Sequence, residues 1–216
     1  MLTLIIGNKN YSSWSLRPWL VLRHSGIAFQ EVRIPLYQDT SKATILRYSP
    51  SGKVPALIDA DLTLWESLAI CEYLAERFPD AKLWPQDPAA RALARAVSTE
   101  MHAGFASLRQ HLTMNCRKRC PPRDLPPAVQ QDIGRIFAIW QACRARNPDG
   151  PMLFGQFSIA DAMFAPVAFR LAGYSVAMSP EDARYVHMLL NLPAMQEWAA
   201  AASAEEEVLT QFERDF

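Results

Sequence analysis

This chain has no surplus of charge of either sign. Its 22 Lys and Arg residues balance 22 Asp and Glu residues, and the balance holds locally: 8 against 8 over residues 1–80, and 14 against 14 over residues 81–216. Neither part has the positive excess that a nucleic-acid backbone demands, so no nucleic-acid partner is expected. No uncharged apolar run approaches the ~18 residues of a membrane helix, and no membrane association is expected. The opening Met1-Leu2-Thr3-Leu4-Ile5-Ile6 runs straight into Gly7-Asn8-Lys9-Asn10. It is too short for the apolar core of a secretory signal and reads as a first strand. Cysteine is sparse. Cys71, Cys116, Cys120 and Cys143 form no C-x-x-C and no paired Cys/His spacing, which argues against a disulfide framework and a zinc site. His24, His102, His111 and His187 also lack metal-ligand spacing, so no metal is expected. The expectation is a cytoplasmic protein with free thiols.

What is present is a packed chain. Of 216 residues, 50% are apolar and 20% charged, a globular composition large enough for one big domain or two small ones. The hydrophobic period changes partway along. Residues 1–80 mix short strands and helices. Leu2–Ile6 is a continuous apolar run, as in a strand buried on both faces. Ser15–His24 has helical spacing and stops before Gly26. Phe29–Ile34 reads as a second strand and Thr40–Tyr48 as a weaker helix. Ala56–Ile58 and Leu62–Trp65 are strands about the turn Asp59-Ala60-Asp61, and Ser67–Phe78 is a helix. The order is β-α-β-α-β-β-α. The first strand pair should be parallel, because a helix joins it. The second should be antiparallel, because only three residues join it. Prolines 79, 85 and 88 mark residues 81–88 as a linker between a domain over 1–80 and another over 89–216. The latter reads as all helical. One apolar stripe runs through Leu93, Val97, Met101, Phe105, Leu108 and Leu112, another through Val129, Ile133, Ile136, Phe137 and Trp140, and Ser158–Leu171 forms a third helix. Glu181–Leu190 and Ala194–Ala202 complete the set.

Three segments carry chemistry. Asn10-Tyr11-Ser12-Ser13-Trp14-Ser15 lies between the first strand and the first helix. A helix start presents unpaired N–H groups and partial positive charge, which stabilise anions and thiolates. A serine there also caps the helix, worth about 1 kcal/mol. Both readings stand, though three serines in four residues exceed what a cap needs. Lys53-Val54-Pro55-Ala56 places a proline at a strand start, where it has no ladder bond to donate; its peptide bond is cis or trans. At Glu66-Ser67, before the next helix, a serine cap could hold a ligand carboxylate and Glu66 a ligand amine.

Taken in order, Ser12-Ser13-Trp14-Ser15, Val54-Pro55, Glu66-Ser67, the helix Leu68–Phe78 with its Glu72-Tyr73-Leu74, and the Ser-x-x-Asp capping box Ser158-Ile159-Ala160-Asp161 resemble the glutathione transferases. The resemblance covers essentially the whole chain. It implies a thioredoxin-like N-terminal domain followed by a helical-bundle domain. It implies a cis Val54–Pro55 bond, with the Val54 backbone pairing with the glutathione main chain. It places the γ-glutamyl end on Glu66 and Ser67, and Lys53 near the glycyl carboxylate. The serine run is similar to the serine-type zeta and related bacterial members. That implies Ser12, with Ser13 beside it, as the donor to the glutathione thiol. Tyr11 is the fallback donor. Trp14 stands where zeta members carry cysteine, a departure that bears on the isomerase reaction of that subgroup. The implied activity is transfer of glutathione, as co-substrate, to a small hydrophobic electrophile, by a homodimer. A glutathione-dependent isomerase and a non-catalytic binding module are the alternatives. Tyr11, Trp14, Met101, Phe105 and Arg170 are the candidates for the second pocket. Met101 and Phe105 have an equally simple reading as core, and Arg170 as half of an external salt bridge. Arg117-Lys118-Arg119 and Glu205-Glu206-Glu207 read as solvated surface.

Overall fold

The computed structural model describes residues 1–213. Its first 77 residues form a four-stranded sheet with three helices: β1 Leu2–Ile6, α1 Ser13–His24, β2 Phe29–Arg33, α2 Ser41–Leu46, β3 Ala56–Asp59, β4 Leu62–Trp65 and α3 Ser67–Arg77. The strand order is β2-β1-β3-β4. β1 pairs with β2 in parallel and with β3 antiparallel, and β3 pairs antiparallel with β4. This is the thioredoxin-like order, with the parallel and antiparallel pairs that the connection lengths require. The apolar run of β1 is explained by its central place. Leu2, Leu4 and Ile6 point to the core shared with α1 and α3. Ile5 points the other way and packs with Ile34, Ile45 and Ala56 beneath α2.

After a 3-10 turn at Pro79–Ala81 the described chain is helical: α4 Pro88–Ala103, α5 Ala106–His111, α6 Pro127–Arg146, α7 Ile159–Gly173, α8 Pro180–Leu190 and α9 Pro193–Ser203, then a 3-10 turn at Thr210–Phe212. α7 is buried along almost its whole length and packs against α1 and α4. Its start is a capping box, with Ser158 N–H donating to Asp161 Oδ2 at 2.9 Å. Asp161 also accepts from Leu153 N–H and the Tyr185 hydroxyl, at 3.0 and 2.9 Å. The proline-rich connection is anchored: Leu83 and Trp84 are buried, and Trp84 Nε1 donates to Glu72 at 3.0 Å.

Three expectations about element boundaries change. α1 begins at Ser13, not Ser15, which makes Ser12 its N-cap. The stripe over 93–112 is two helices, not one. Phe105 sits at φ 62°, in the left-handed region, and a Cβ on Gly104 would lie 2.9 Å from the Glu100 carbonyl. Glu66, not Ser67, occupies the cap position of α3, and Ser67 is its first residue.

The C-terminal segment returns to the first loop. Glu205 accepts from the Lys9 and Asn10 N–H groups at 2.6 and 3.0 Å, with its side chain 6% exposed. Arg117 donates to the Glu205 and Glu207 carbonyls and to the Tyr11 hydroxyl. Arg117 and Glu205 are therefore structural ties, not solvated surface. Two buried backbone donors and two carbonyls outweigh the hydration of the side chains that meet them.

Candidate functional site

The β1–α1 turn brings the serines to the mouth of a cavity. Ser12 Oγ accepts from Ser15 N–H at 3.4 Å and donates to Ser15 Oγ at 2.7 Å. Ser15 Oγ accepts from Gly7 N–H at 3.1 Å. Ser12 and Ser13 both line the cavity, and Ser13 Oγ has no hydrogen bond among the described residues. The Tyr11 hydroxyl is engaged elsewhere: it donates to Glu213 and accepts from Arg117 and from Leu209 N–H. Its ring stacks on Phe212. The fallback donor is therefore part of the tie to the C-terminal segment, although its ring still walls the cavity.

A second, smaller cleft of roughly 160 Å³ is lined by Trp14, Ser51, Lys53, Val54, Pro55, Glu66 and Ser67. The Val54–Pro55 bond is cis. Glu66 has φ 68° and ψ 120°, a sparsely populated conformation for a residue with a Cβ, costing on the order of 1–3 kcal/mol. Glu66 and Ser67, at the start of α3, both line the cleft. Ser67 is buried, and its Oγ accepts a long 3.5 Å bond from Arg17 Nη1. The exposed Glu66 carboxylate is 3.4 Å from His102 Nε2. Burial, with Arg17 as a lesser cause, lowers the His102 pKa.

The larger cavity, roughly 570 Å³, shares Trp14, Lys53 and Val54 with the cleft. Tyr11, Leu36, Tyr37, Ile45, Met114 and Phe212 supply apolar wall, and Arg109 and Arg170 supply charge. Met101 and Phe105 are buried in the core and do not line it. Arg170 is 5% exposed and donates to the Leu112 carbonyl; the external salt bridge is not formed. Arg109 donates to the Gly104 and Met101 carbonyls. Its guanidinium lies 4.8 Å from the Trp14 ring, and that of Arg17 lies 4.3 Å from it. Burial lowers the pKa of all three arginines, and their like charges lower those of Arg17 and Arg170 further. None of the three has a carboxylate ion pair among the described residues. Arg17 is fully buried, with Nε and Nη2 unpartnered. Arg17 and Arg109 thus flank the Trp14 ring without a carboxylate ion pair among the described residues.

Sequence reasoning named Ser15 in the serine run without giving it a role of its own, and passed over Arg17, Tyr37, Thr113 and Phe212. Arg17 had one signal: it lies four residues after Ser13, on the same face of α1. Tyr37 and Phe212 had none, since they reach the cavity from a loop and from the C-terminal segment. Among the described residues, no group of three His, Cys, Asp or Glu is placed to hold a metal, and no helix is long and apolar enough to cross a membrane.

A sheet edge that assembles a helix start, a cis-proline strand start and a strained second helix start defines a thioredoxin-like transferase architecture. The chain belongs to the glutathione S-transferase family. Residues 11–77 match the glutathione S-transferase N-terminal domain, and residues 126–201 match the C-terminal domain. It is 37% identical over 175 residues to maleylacetoacetate isomerase from Mus musculus, spanning 80% of this chain and 79% of that protein. It is 24% identical over 201 residues to glutathione S-transferase Z2 from Arabidopsis thaliana, spanning 87% and 88%. A glutathione transferase homologue from Burkholderia, solved with bound glutathione, superposes with a TM-score of 0.72 at 26% identity, over 94% of this chain and 98% of that one.

Proposed function

We propose that this protein is a serine-type glutathione transferase. It binds glutathione in the small cleft and conjugates it to an electrophile in the adjoining cavity, as a detoxifying reaction. The carrying observation is the shared wall: Trp14, Lys53 and Val54 bound both spaces, so a thiol held in one opens into the other. In this reading the Val54 backbone, at the wall of both spaces, pairs with the peptide as an added strand would. Ser67 and Glu66 meet the γ-glutamyl carboxylate and amine, and Lys53 the glycyl carboxylate. The Ser12 hydroxyl, with the start of α1, stabilises the thiolate. The apolar walls suit an apolar electrophile body. Arg109 and Arg170 suit a carbonyl or carboxylate at its end. Reduced glutathione is a cytoplasmic co-substrate, which fits four buried, unpaired cysteines. A twofold dimer through α3 and α4 is part of the proposal; Leu62 and Trp65 leave exposed apolar surface on the neighbouring edge strand β4.

A second reading, a glutathione-dependent isomerase, is supported by the likeness to maleylacetoacetate isomerase and by Arg109 and Arg170 in the cavity lining. Turnover separates the two. Conjugation predicts product with an aryl halide, and isomerisation predicts catalytic turnover of maleylacetone without net loss of glutathione. Failure of the folded protein to bind immobilised glutathione removes both.

A further inference from the structure

Ser15 sits at the third residue of α1 and is fully buried. Counting its protons leads to a role. Ser15 Oγ receives the Gly7 N–H at 3.1 Å and lies 2.7 Å from Ser12 Oγ. A hydroxyl has one proton to give. No carbonyl, carboxylate or other hydroxyl among the described residues accepts the proton of Ser15; the single oxygen in reach is that of Ser12. The 2.7 Å contact holds only one proton. When Ser12 donates across it, the Ser15 proton is left buried without an acceptor, a costly arrangement. When Ser15 donates, the Ser12 proton is left over instead. Ser12 lines the cavity, so that proton has somewhere to go.

We propose that Ser15 is a positioning residue for thiol activation: it donates its proton to Ser12 Oγ as the Ser12 proton turns to the sulfur of glutathione. The inference rests on the reading of Ser12 as thiolate donor. The exchange breaks no heavy-atom contact. Ser12 is the donor in the unliganded contact; the exchange turns both hydroxyls so that the same contact runs from Ser15 to Ser12, and Gly7 N–H keeps its acceptor throughout. Ser12 Oγ then accepts from both the N–H and the O–H of Ser15 while donating to the thiolate. Such chains polarise each member, so Ser12 becomes a stronger donor than a lone serine at a helix start.

The test is a double-mutant cycle read by titrating the thiol of bound glutathione in the ultraviolet, which reports only on folded, ligand-binding protein. Ser15→Ala should raise the bound thiol pKa by about half a unit to one unit, a three- to tenfold loss of thiolate at low pH. kcat at neutral pH should fall by the same factor, with the glutathione KM within about twofold. Ser15→Thr, which keeps the hydroxyl, should restore most of the shift. In the Ser12→Ala background, Ser15→Ala should produce no further shift. An equal shift in both backgrounds, or none in the single variant, overturns the proposal. The unmutated protein offers a check that does not depend on variants folding. With glutathione bound, Ser12 Oγ should contact sulfur while keeping its contact with Ser15 Oγ. A Ser12 side chain that swings off Ser15 to reach the sulfur overturns the relay. Loss of the Ser12→Ala shift itself counts against the Ser12 assignment, a separately readable outcome.

Discussion

Replacing Ser12 by alanine separates its role as helix cap from its proposed role as thiolate donor, because the two differ in size. As an N-cap it is weak. Its bond from Ser15 N–H is 3.4 Å long, near the limit for a hydrogen bond, so the loss should sit at the low end of cap costs, about 0.5 kcal/mol. In the proposed role as donor to a thiolate it would make a charge-assisted bond, worth roughly 1.5–3 kcal/mol. At about 1.4 kcal/mol per pH unit, Ser12→Ala should raise the pKa of the bound thiol by about one to two units. A free thiol titrates near about 8.5, so the loss removes most of the thiolate present at neutral pH. Turnover there should drop about ten- to a hundredfold and recover as pH is raised. Glutathione affinity should change little, since Val54, Glu66 and Ser67 hold the rest of the molecule in the proposed pose. Ser13→Ala is the control: Ser13 Oγ makes no hydrogen bond among the described residues, and its loss should move neither stability nor titration appreciably. The assay is the thiolate absorbance of the bound complex followed against pH, beside thermal melts of each variant. A shift with Ser13→Ala and none with Ser12→Ala exchanges the two roles. No shift with either leaves the backbone N–H groups of α1 as the stabilising element and refutes the serine mechanism.

Asp161→Ala should remove four accepted bonds, from Leu153 N–H, Ser158 N–H, the Ser158 hydroxyl and the Tyr185 hydroxyl, and strand buried donors. The expected loss is about 3–5 kcal/mol, read by chemical denaturation, with the glutathione affinity of the folded fraction unchanged. Glu66→Gly relieves the positive φ at the cost of a more flexible unfolded chain, so stability should change by less than about 1 kcal/mol while glutathione affinity falls in calorimetry; a large destabilisation would show that Glu66 is structural. All four cysteines are buried, and burial pushes the Cys116 thiol up to about 12 and the Cys143 thiol up to about 11. Fewer than one thiol per chain should therefore react with a disulfide reagent at pH 8 until denaturant is added; rapid labelling of the native protein would contradict the packing. Arg170→Met should weaken binding of a carboxylate-bearing electrophile about tenfold or more and leave an uncharged aryl halide nearly unaffected, measured as separate KM values.

The parts legible in the sequence are those fixed by short-range chemistry. The continuous apolar run of β1, the Ser158–Asp161 box and the proline just before β3 each rest on neighbours within a few residues. The break between α4 and α5 escaped because Phe105, Leu108 and Leu112 keep helical spacing across it. The signal was Gly104, whose close approach to the Glu100 carbonyl is visible only in three dimensions. The site was half legible. Ser12, Lys53, Val54 and Ser67 lie at element boundaries that a pattern can find. Arg17 was taken into the first helix without a role, since nothing local says that a buried guanidinium lacks a counter-ion. Glu205 looked solvated because its partners, two backbone N–H groups, carry no residue signature and lie 195 and 196 positions away.

Those same separations impose an order of assembly on the growing chain. The sheet and α1 are complete once residue 77 has been made, yet the loop bearing Tyr11 and the serines is held by Glu205, by the Arg117 ties and by the Tyr11 contacts to Leu209 and Glu213. Domains fold as units during synthesis, the N-terminal one first. The loop after β1, among the first parts to be translated, therefore waits for the segment over 205–213 before it is braced. A nascent chain halted before that point would carry the strands and the cis-proline cleft, but with that loop unfastened, and it should be scored as folded by its circular dichroism while remaining poor at activating a thiol.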